Sequence, residues 1–297
     1  MVYFCKPFLK KGGSRVDICL VPSVRSYIEK VEGLLLKKEA CNNLMLGLLS
    51  QMKHNVIAAD EIDLGMVQDQ GIIDYAFMKT PENLILADTA TVQEEVLEAI
   101  ARFLYDKKIS VPGVIGPVKA ATAFVQTWRR WTSCQVDVQM EQLIYRLDRV
   151  NVVPDADGKL VQATDSDYPL IKEWLIQFGI EAKVDMPETK AAKMARGFIH
   201  KRSVYLWLVD GHPVSMVNNA RRMRNGATIN AVFTPDEHKR KGYATNAVAA
   251  LSQKLLDAGF VFCSLHTDLA NPTSNNIYRK IGYYAAGTSI VYKFDME

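Results

Sequence analysis

One stretch of this chain is suited to face a negatively charged group. Ala231-Val232-Phe233-Thr234-Pro235-Asp236-Glu237-His238 reads as a strand running into a loop. Lys239-Arg240-Lys241-Gly242-Tyr243-Ala244-Thr245 then turns the loop into a helix. The helix shows its apolar face in Ala244, Ala247, Val248, Leu251 and Leu255, and Gly259 stands where a left-handed C-terminal cap is expected. The first turn of a helix carries amides with no intrahelical partner, and the macrodipole adds partial positive charge there. Gly242 lets a ligand approach the backbone closely. Lys239, Arg240 and Lys241 add charge and Thr245 a hydroxyl, so a pyrophosphate suits the loop. The stretch has neither the glycine–lysine spacing of a Walker loop nor the three glycines of the Rossmann fingerprint. Taken alone, it reads equally as a solvated basic turn before an ordinary helix start.

A second stretch lies downstream. Asn271-Pro272-Thr273-Ser274-Asn275-Asn276-Ile277-Tyr278-Arg279-Lys280-Ile281-Gly282-Tyr283 follows a strand ending at Thr267-Asp268. Asn271 is a good N-cap and Pro272 a good first helical residue. Ile277 and Ile281, four apart, face the core, and Gly282 ends the helix. Tyr278 offers a phenol, whose free pKa is ~10, as a proton donor; the plainer reading is packing beside the two isoleucines.

The two stretches together resemble the GNAT (general N-acetyltransferase) superfamily. Lys239-x-x-Gly242-x-Ala244 resembles its motif A, with lysine where glutamine or arginine is usual. The run from Asn271 to Tyr283 resembles its motif B at every fixed position. The wording of the second is similar to the glycine N-acyltransferase-like branch and to bacterial two-domain predicted acetyltransferases. The resemblance covers most of Leu160 to Phe294.

This resemblance implies an acetyl-CoA-dependent N-acetyltransferase that moves an acetyl group to a primary amine, expected to be a small molecule. Acetyl-CoA is the implied cosubstrate, with no metal. Backbone at Val232, Phe233 and Thr234 would pair with the pantetheine arm as an added strand. Lys239, Arg240, Lys241, Gly242, Tyr243, Ala244 and Thr245 would hold the pyrophosphate, and Asn271 and Asn275 complete the cofactor site. Tyr278 falls at the family's acid position. An amide near Val232 would face the carbonyl oxygen. Many relatives keep a carboxylate on the fourth strand; here Thr228-Ile229-Asn230-Ala231-Val232 has none. Glu237 and His238 read as surface residues and His266 as a satisfied core histidine, so no base is assigned. The acceptor walls would come from Trp174, Phe178, the Met186 region, Asn218, Asn219, Arg221 and Arg222. The two arginines read as solvated loop charges, with carboxylate recognition as the other possibility. Rival readings are a CoA-binding sensor or scaffold without turnover, a protein N-acetyltransferase, and transfer of a longer acyl chain.

Elements around these stretches must position them. In the first half, an irregular segment reaches Val21, and a helical stretch carries Val31 to Leu49. Gly71 to Phe77 alternates as a strand and Leu84 to Ala87 is a short buried one. Thr91 and Glu94 match a capping box. A helix with Val96, Ile100, Phe103 and Leu104 follows, then a strand before Pro117, a helix with Phe124, Trp128 and Trp131, and a strand from Leu143 to Val153 ending in a turn at Pro154-Asp155-Ala156-Asp157-Gly158. In the second half, Leu160-Val161 is a strand, Thr164 or Asp165 caps a helix, and Pro187 opens another. Val204 to Val209 and Val214 to Val217 flank the hairpin signal Asp210-Gly211. The order of helices, meander and strand–helix–strand–helix–strand occurs twice, though the sequences barely match.

The expected fold class is therefore α/β (α+β): tandem GNAT-like folds, each a mixed, mostly antiparallel sheet flanked by helices, splayed at the CoA-binding strand of the C-terminal copy. The expected division is 1–141, a degenerate GNAT-like domain without a CoA loop, and 142–297, the catalytic domain.

Bulk properties agree with such a protein. Its 297 residues suggest about two domains at ~150 residues each. A net charge of +3 without long basic runs gives no reason to expect nucleic acid or an anionic membrane as partner. Five scattered cysteines without a C-x-x-C pair read as reduced thiols, and the histidines lack metal spacing. With no membrane-length apolar run and no signal peptide, the expected location is cytoplasmic.

Overall fold

Two cross-strand cysteines tie down the first hairpin. In the computed structural model, which describes residues 4–9, 15–54, 56–59, 61–151 and 157–295, β1 (Phe4–Leu9) and β2 (Arg15–Leu20) pair antiparallel with Cys5 opposite Cys19. The two form a disulfide, with Cα atoms 4.1 Å apart. This corrects two expectations: the segment before Val21 is not irregular, and only Cys41, Cys134 and Cys263 are free thiols.

The chain continues through α1 (Val24–Leu36), α2 (Asn43–Lys53), β3 (Asp63–Asp69), β4 (Ile72–Lys79), β5 (Leu84–Leu86), α3 (Glu94–Asp106), β6 (Gly113–Gly116), α4 (Val118–Trp128) and β7 (Gln135–Leu147). β7 starts well before Leu143 and ends at Leu147; the turn expected at Pro154 to Ala156 lies outside the described residues. The expected capping box at Thr91 is not formed. Thr89 donates its hydroxyl to the Thr91 carbonyl, and the helix begins three residues later with Gln93 as N-cap.

The second repetition runs through β8 (Lys159–Gln162), α5 (Tyr168–Glu181), α6 (Glu188–His200), β9 (Val204–Val209), β10 (His212–Arg222), β11 (Gly226–Phe233), α7 (Tyr243–Asp257), β12 (Phe262–Asp268), α8 (Pro272–Ile281) and β13 (Tyr284–Asp295). Here the capping box does form: Thr164 and Asp167 satisfy each other in a short 3-10 turn that leads into α5. Asp210 and Gly211 both have positive φ, 49° and 81°, as a two-residue hairpin turn demands.

The chain forms two compact units, Met1–Ile144 with Asp268–Ala270 and Ala286–Glu297, and Tyr145–Thr267 with Asn271–Ala285. In the first, β1 to β6 follow one another, and the far end of β13 pairs with β6, Ile290 opposite Gly116. All these pairs are antiparallel except β5 with β6. Its core includes Tyr27, Tyr75, Phe77, Phe103 and Phe124. In the second unit the order is β8-β9-β10-β11-β12, antiparallel except β11 with β12.

Both units place one ring over one glycine. A Cβ at Gly65 would meet the Phe77 ring at 2.1 Å, and a Cβ at Gly226 would meet the Phe262 ring at 2.3 Å. Gly226 and Phe262 are partners across the parallel pair, so this contact fixes where β11 and β12 join. None of the helices among the described residues is long and apolar enough to cross a membrane.

Candidate active site

β11 leaves its parallel neighbour partway along. It pairs with β12 at Gly226–Phe262, Ala227–Cys263 and Thr228–Ser264, but β11 runs on to Phe233 and β12 to Asp268. Beyond Thr228 the two strands splay, and the β12-facing edge of β11 is open for an extended ligand. A bulge accentuates this. Met216 lies opposite Phe233 and Asn218 opposite Asn230, so β11 carries one extra residue there, and Ala231 has φ +47°.

Past this bulge lies a cleft of about 900 Å³. One wall is the end of β11, with Val232, Phe233 and Thr234. The Thr234 hydroxyl is 2.9 Å from that of Ser215, which anchors the strand end from β10. The floor is the start of α7. Gly242 is its N-cap with φ +81° and no side-chain cap, and a Cβ there would meet nothing within 4 Å. The first intrahelical bond is Asn246 N to Gly242 O at 3.0 Å, leaving the amides of Tyr243, Ala244 and Thr245 without helical acceptors. All three residues line the cleft.

The three basic residues divide their tasks. Lys239 is held between Glu181 of α5 and Asp236, the latter at 2.7 Å. Burial pulls its pKa down, but these two hydrogen-bonded carboxylates outweigh burial and raise it. Its charge is therefore largely neutralised, and it ties the loop to α5. Arg240 and Lys241 are exposed and have no ion pair among the described residues. Arg240 lines the cleft; Lys241 does not. Sequence reasoning did not single out Glu181 or Asp236 and read His238 as a surface residue; all three also line the cleft. Nothing local marks Glu181, because its role depends on α5 ending beside the loop.

The other wall is α8. Asn271 accepts from Ser274 N at 3.0 Å as N-cap and lines the cleft together with Thr273, Ser274 and Ile277. Asn275 is buried, donates from Nδ2 to the Asn271 carbonyl at 2.8 Å, and is not in the lining. Tyr278 faces the cleft. Its ring is buried between Tyr145 and Tyr283, with centroids 6.1 and 6.0 Å away. Its hydroxyl forms no hydrogen bond with the described residues yet is not sealed from solvent. Burial pushes its pKa up to about 12, so it keeps its proton at neutral pH.

No carboxylate stands on β11. Asn230 accepts from Asn218 Nδ2 at 2.8 Å, and Asn218 in turn accepts from the Ser203 hydroxyl at 2.7 Å. Burial, reinforced by the charge of Arg221, pushes His266 down to about 3, so it is neutral near pH 7. Among the described residues no group of His, Cys, Asp or Glu gathers as metal ligands. Arg222 is an exposed charge lying over Phe260, as expected, but Arg221 is not: its Nε is shut off from solvent.

A helix start, a splayed parallel pair and a second short helix bearing a tyrosine thus converge on one cleft. A comparison with solved structures finds similar folds that cover almost the whole chain. A GCN5-related N-acetyltransferase from Sphaerobacter thermophilus superposes with a TM-score of 0.63 at 10% identity, covering 96% of each chain. The fold is the GNAT fold. A GNAT-family acetyltransferase from Colwellia psychrerythraea gives a TM-score of 0.56 at 12% identity over 94% of this chain and 99% of the other. A tandem GNAT protein from the clavulanic acid biosynthesis pathway gives 0.54 at 13% identity over 94% and 98%. Residues 205–291 match the family model described as FR47-like protein. That span holds β10 to α8, and with them every residue lining the cleft except Glu181. A comparison with curated proteins finds no match.

Proposed function

We propose that the second unit binds acetyl-CoA and transfers its acetyl group to a primary amine of a small molecule. The supporting observation is the meeting, in one cleft, of the free first-turn amides of α7 and the unbonded hydroxyl of Tyr278, beside the open edge of β11. The amides and Arg240 suit the pyrophosphate, with partial and full positive charge and no side chain at Gly242 to obstruct it. The edge of β11 from Ile229 to Phe233 suits the two amides of the pantetheine arm.

The reaction asks three things of the chain. The thioester carbonyl must be polarised, and a backbone amide near Val232 on the bulged strand serves that purpose. The amine nitrogen attacks the carbonyl carbon, an N–C bond forms and the C–S bond breaks. The departing sulfur takes a proton from Tyr278, whose raised pKa ensures that the proton is present to give, and the tyrosinate regains one from water. The nitrogen sheds a proton to water, because β11 offers no carboxylate and His266 is too weak a base. The amine therefore reacts in its neutral form, and the rate should climb with pH until the acceptor is deprotonated.

A binding protein without turnover is the second reading, favoured by the missing carboxylate. Thiol release from acetyl-CoA, measured across small amines, amino acids and a lysine peptide, separates the two. Acceptor-dependent release supports the enzyme, and the preferred acceptor separates small-molecule from protein acetylation. Acetyl-CoA binding with release at background for every acceptor supports the sensor. Replacing acetyl-CoA by longer acyl-CoA donors in the same assay reads the acyl preference.

A further inference from the structure

One carboxylate stands where two local fields disfavour it. Glu181 is the last residue of α5, a helix with no basic residue in its last turn. The C-terminal end of a helix carries partial negative charge, which opposes a carboxylate there. Glu181 also lines the cleft that the first-turn amides of α7 and Arg240 suit to a pyrophosphate. Among the described residues its one ion-pair partner is Lys239, and Lys239 Nζ is also 2.7 Å from Asp236. Both carboxylates bond Lys239, and neither accepts from the amides of Tyr243, Ala244 or Thr245.

The permanent charges of the cleft therefore cancel. Its lining holds two such cations, Lys239 and Arg240, against two carboxylates, Glu181 and Asp236. A cleft with the strongest hold on phosphate would leave its lysine free. Here the carboxylates already occupy two of the three ammonium donors, and they repel an arriving phosphate at short range. Acetyl-CoA and CoA carry the same phosphates, so a group that tightens the donor tightens the spent product equally. Product release limits the turnover of many enzymes. A carboxylate that weakens the phosphate end lets the product leave sooner.

Resting on the acetyl-CoA reading of the second unit, we propose that Glu181 is a positioning residue acting through Lys239: it withholds the lysine from the phosphates of the cofactor, lowers affinity for that end and speeds the release of CoA. Asp236 does the same more weakly. Its side chain is 88% exposed against 45% for Glu181, so its charge is better screened.

The test is calorimetry of the full chain with CoA, pantetheine and inorganic pyrophosphate. Glu181→Gln should bind CoA about three- to fivefold more tightly than the wild type, the scale of an exposed ion pair. In stopped flow, CoA should leave the variant more slowly by a similar factor. Pantetheine, which lacks the phosphates, should bind both proteins alike. The gain should shrink as ionic strength rises. It should be absent in Glu181→Asp, which keeps the charge, and absent when Glu181→Gln is made in a Lys239→Gln background. The thermal midpoint of Glu181→Gln should stay near that of the wild type, because relief at the end of α5 offsets the lost pair. Asp236→Asn should show a smaller gain in the same direction, and it judges the proposal if Glu181→Gln does not fold. Unchanged or weaker CoA binding, an equal gain for pantetheine, or a gain that persists without Lys239 overturns the proposal. A merely structural role for Glu181 predicts weaker binding of every ligand, the opposite sign. Failure of the wild type to bind CoA would remove the acetyl-CoA reading, and inorganic pyrophosphate then judges Glu181 alone. Tighter pyrophosphate binding by Glu181→Gln upholds the withheld lysine; equal, weaker or no binding overturns it.

Discussion

The two units begin their central helices in opposite ways. Each has a short parallel strand pair, β5 with β6 and β11 with β12, and a helix after its first member. Before α3 the loop is occupied from within: Asn42 accepts from Asp88 N at 2.7 Å and donates to Asp88 O at 2.9 Å, and Lys38 pairs with the Asp88 carboxylate at 2.8 Å. The first turn of α3 carries Glu94 and Glu95, which answer its helix dipole. Before α7 there is a left-handed glycine, no acid in the first turn, and Arg240 and Lys241 without an ion pair among the described residues. One helix start has its own anions and the other waits for one. Topology alone therefore does not make a phosphate site; what the first turn leaves unsatisfied does.

The largest expected effect comes from making α7 resemble α3. Gly242→Asp adds a carboxylate at a helix start that otherwise has none, and at φ +81°. Acetyl-CoA binding should vanish in calorimetry, a loss of at least about 100-fold, or ~2.7 kcal/mol. Gly242→Ala is the control. It should cost folding stability of about 1–2 kcal/mol for left-handed strain and weaken acetyl-CoA far less than Asp. Equal losses from Ala and Asp would mean that shape rather than charge governs the site.

Next in size is Tyr278→Phe. Loss of a general acid typically costs ~10²-fold or more in rate, so kcat should fall by about that much while acetyl-CoA affinity, read by calorimetry, holds. Because the pKa of Tyr278 is pushed up to about 12, the wild-type rate should show no loss from its ionisation up to about pH 10. A fall in rate with an apparent pKa well below that would assign proton donation to another group. Unchanged kcat in the variant would reduce Tyr278 to packing between Tyr145 and Tyr283.

What the sequence revealed follows from how local each signal is. Gly242, the Asn271 cap and the hairpin at Asp210-Gly211 depend on their immediate neighbours, and the structure places all three as expected. The Thr91 capping box is also a local signal, yet it does not form: α3 begins at Glu94 with Gln93 as its N-cap. β1 and β2 were missed because their stability rests on pairing and on a disulfide between residues 14 apart in sequence. Lys239 and Arg221 show the limit most clearly. Both are basic residues next to other basic residues, and nothing local marks the one as ion-paired or the other as buried. Only the fold brings Glu181 to the first and turns the second inward while its neighbour Arg222 stays outside.

The smallest effects test whether the charge contrast between the helix starts matters at a distance. Arg240→Ala and Lys241→Ala remove exposed cations, each worth no more than about 1 kcal/mol. Each should weaken acetyl-CoA by about fivefold or less, Arg240 more than Lys241 because only the former lines the cleft. Raising the ionic strength should shrink both differences, because exposed charges are screened. Glu94→Lys with Glu95→Lys gives α3 the cations of α7 without its glycine. If the free backbone at Gly242 is the deciding feature, this double variant loses about 0.3–1 kcal/mol of stability per site to the helix dipole. Calorimetry should still find one acetyl-CoA per chain. A second equivalent bound in the variant would mean that charge alone suffices, and that α3 lacks a ligand only because Glu94 and Glu95 repel it.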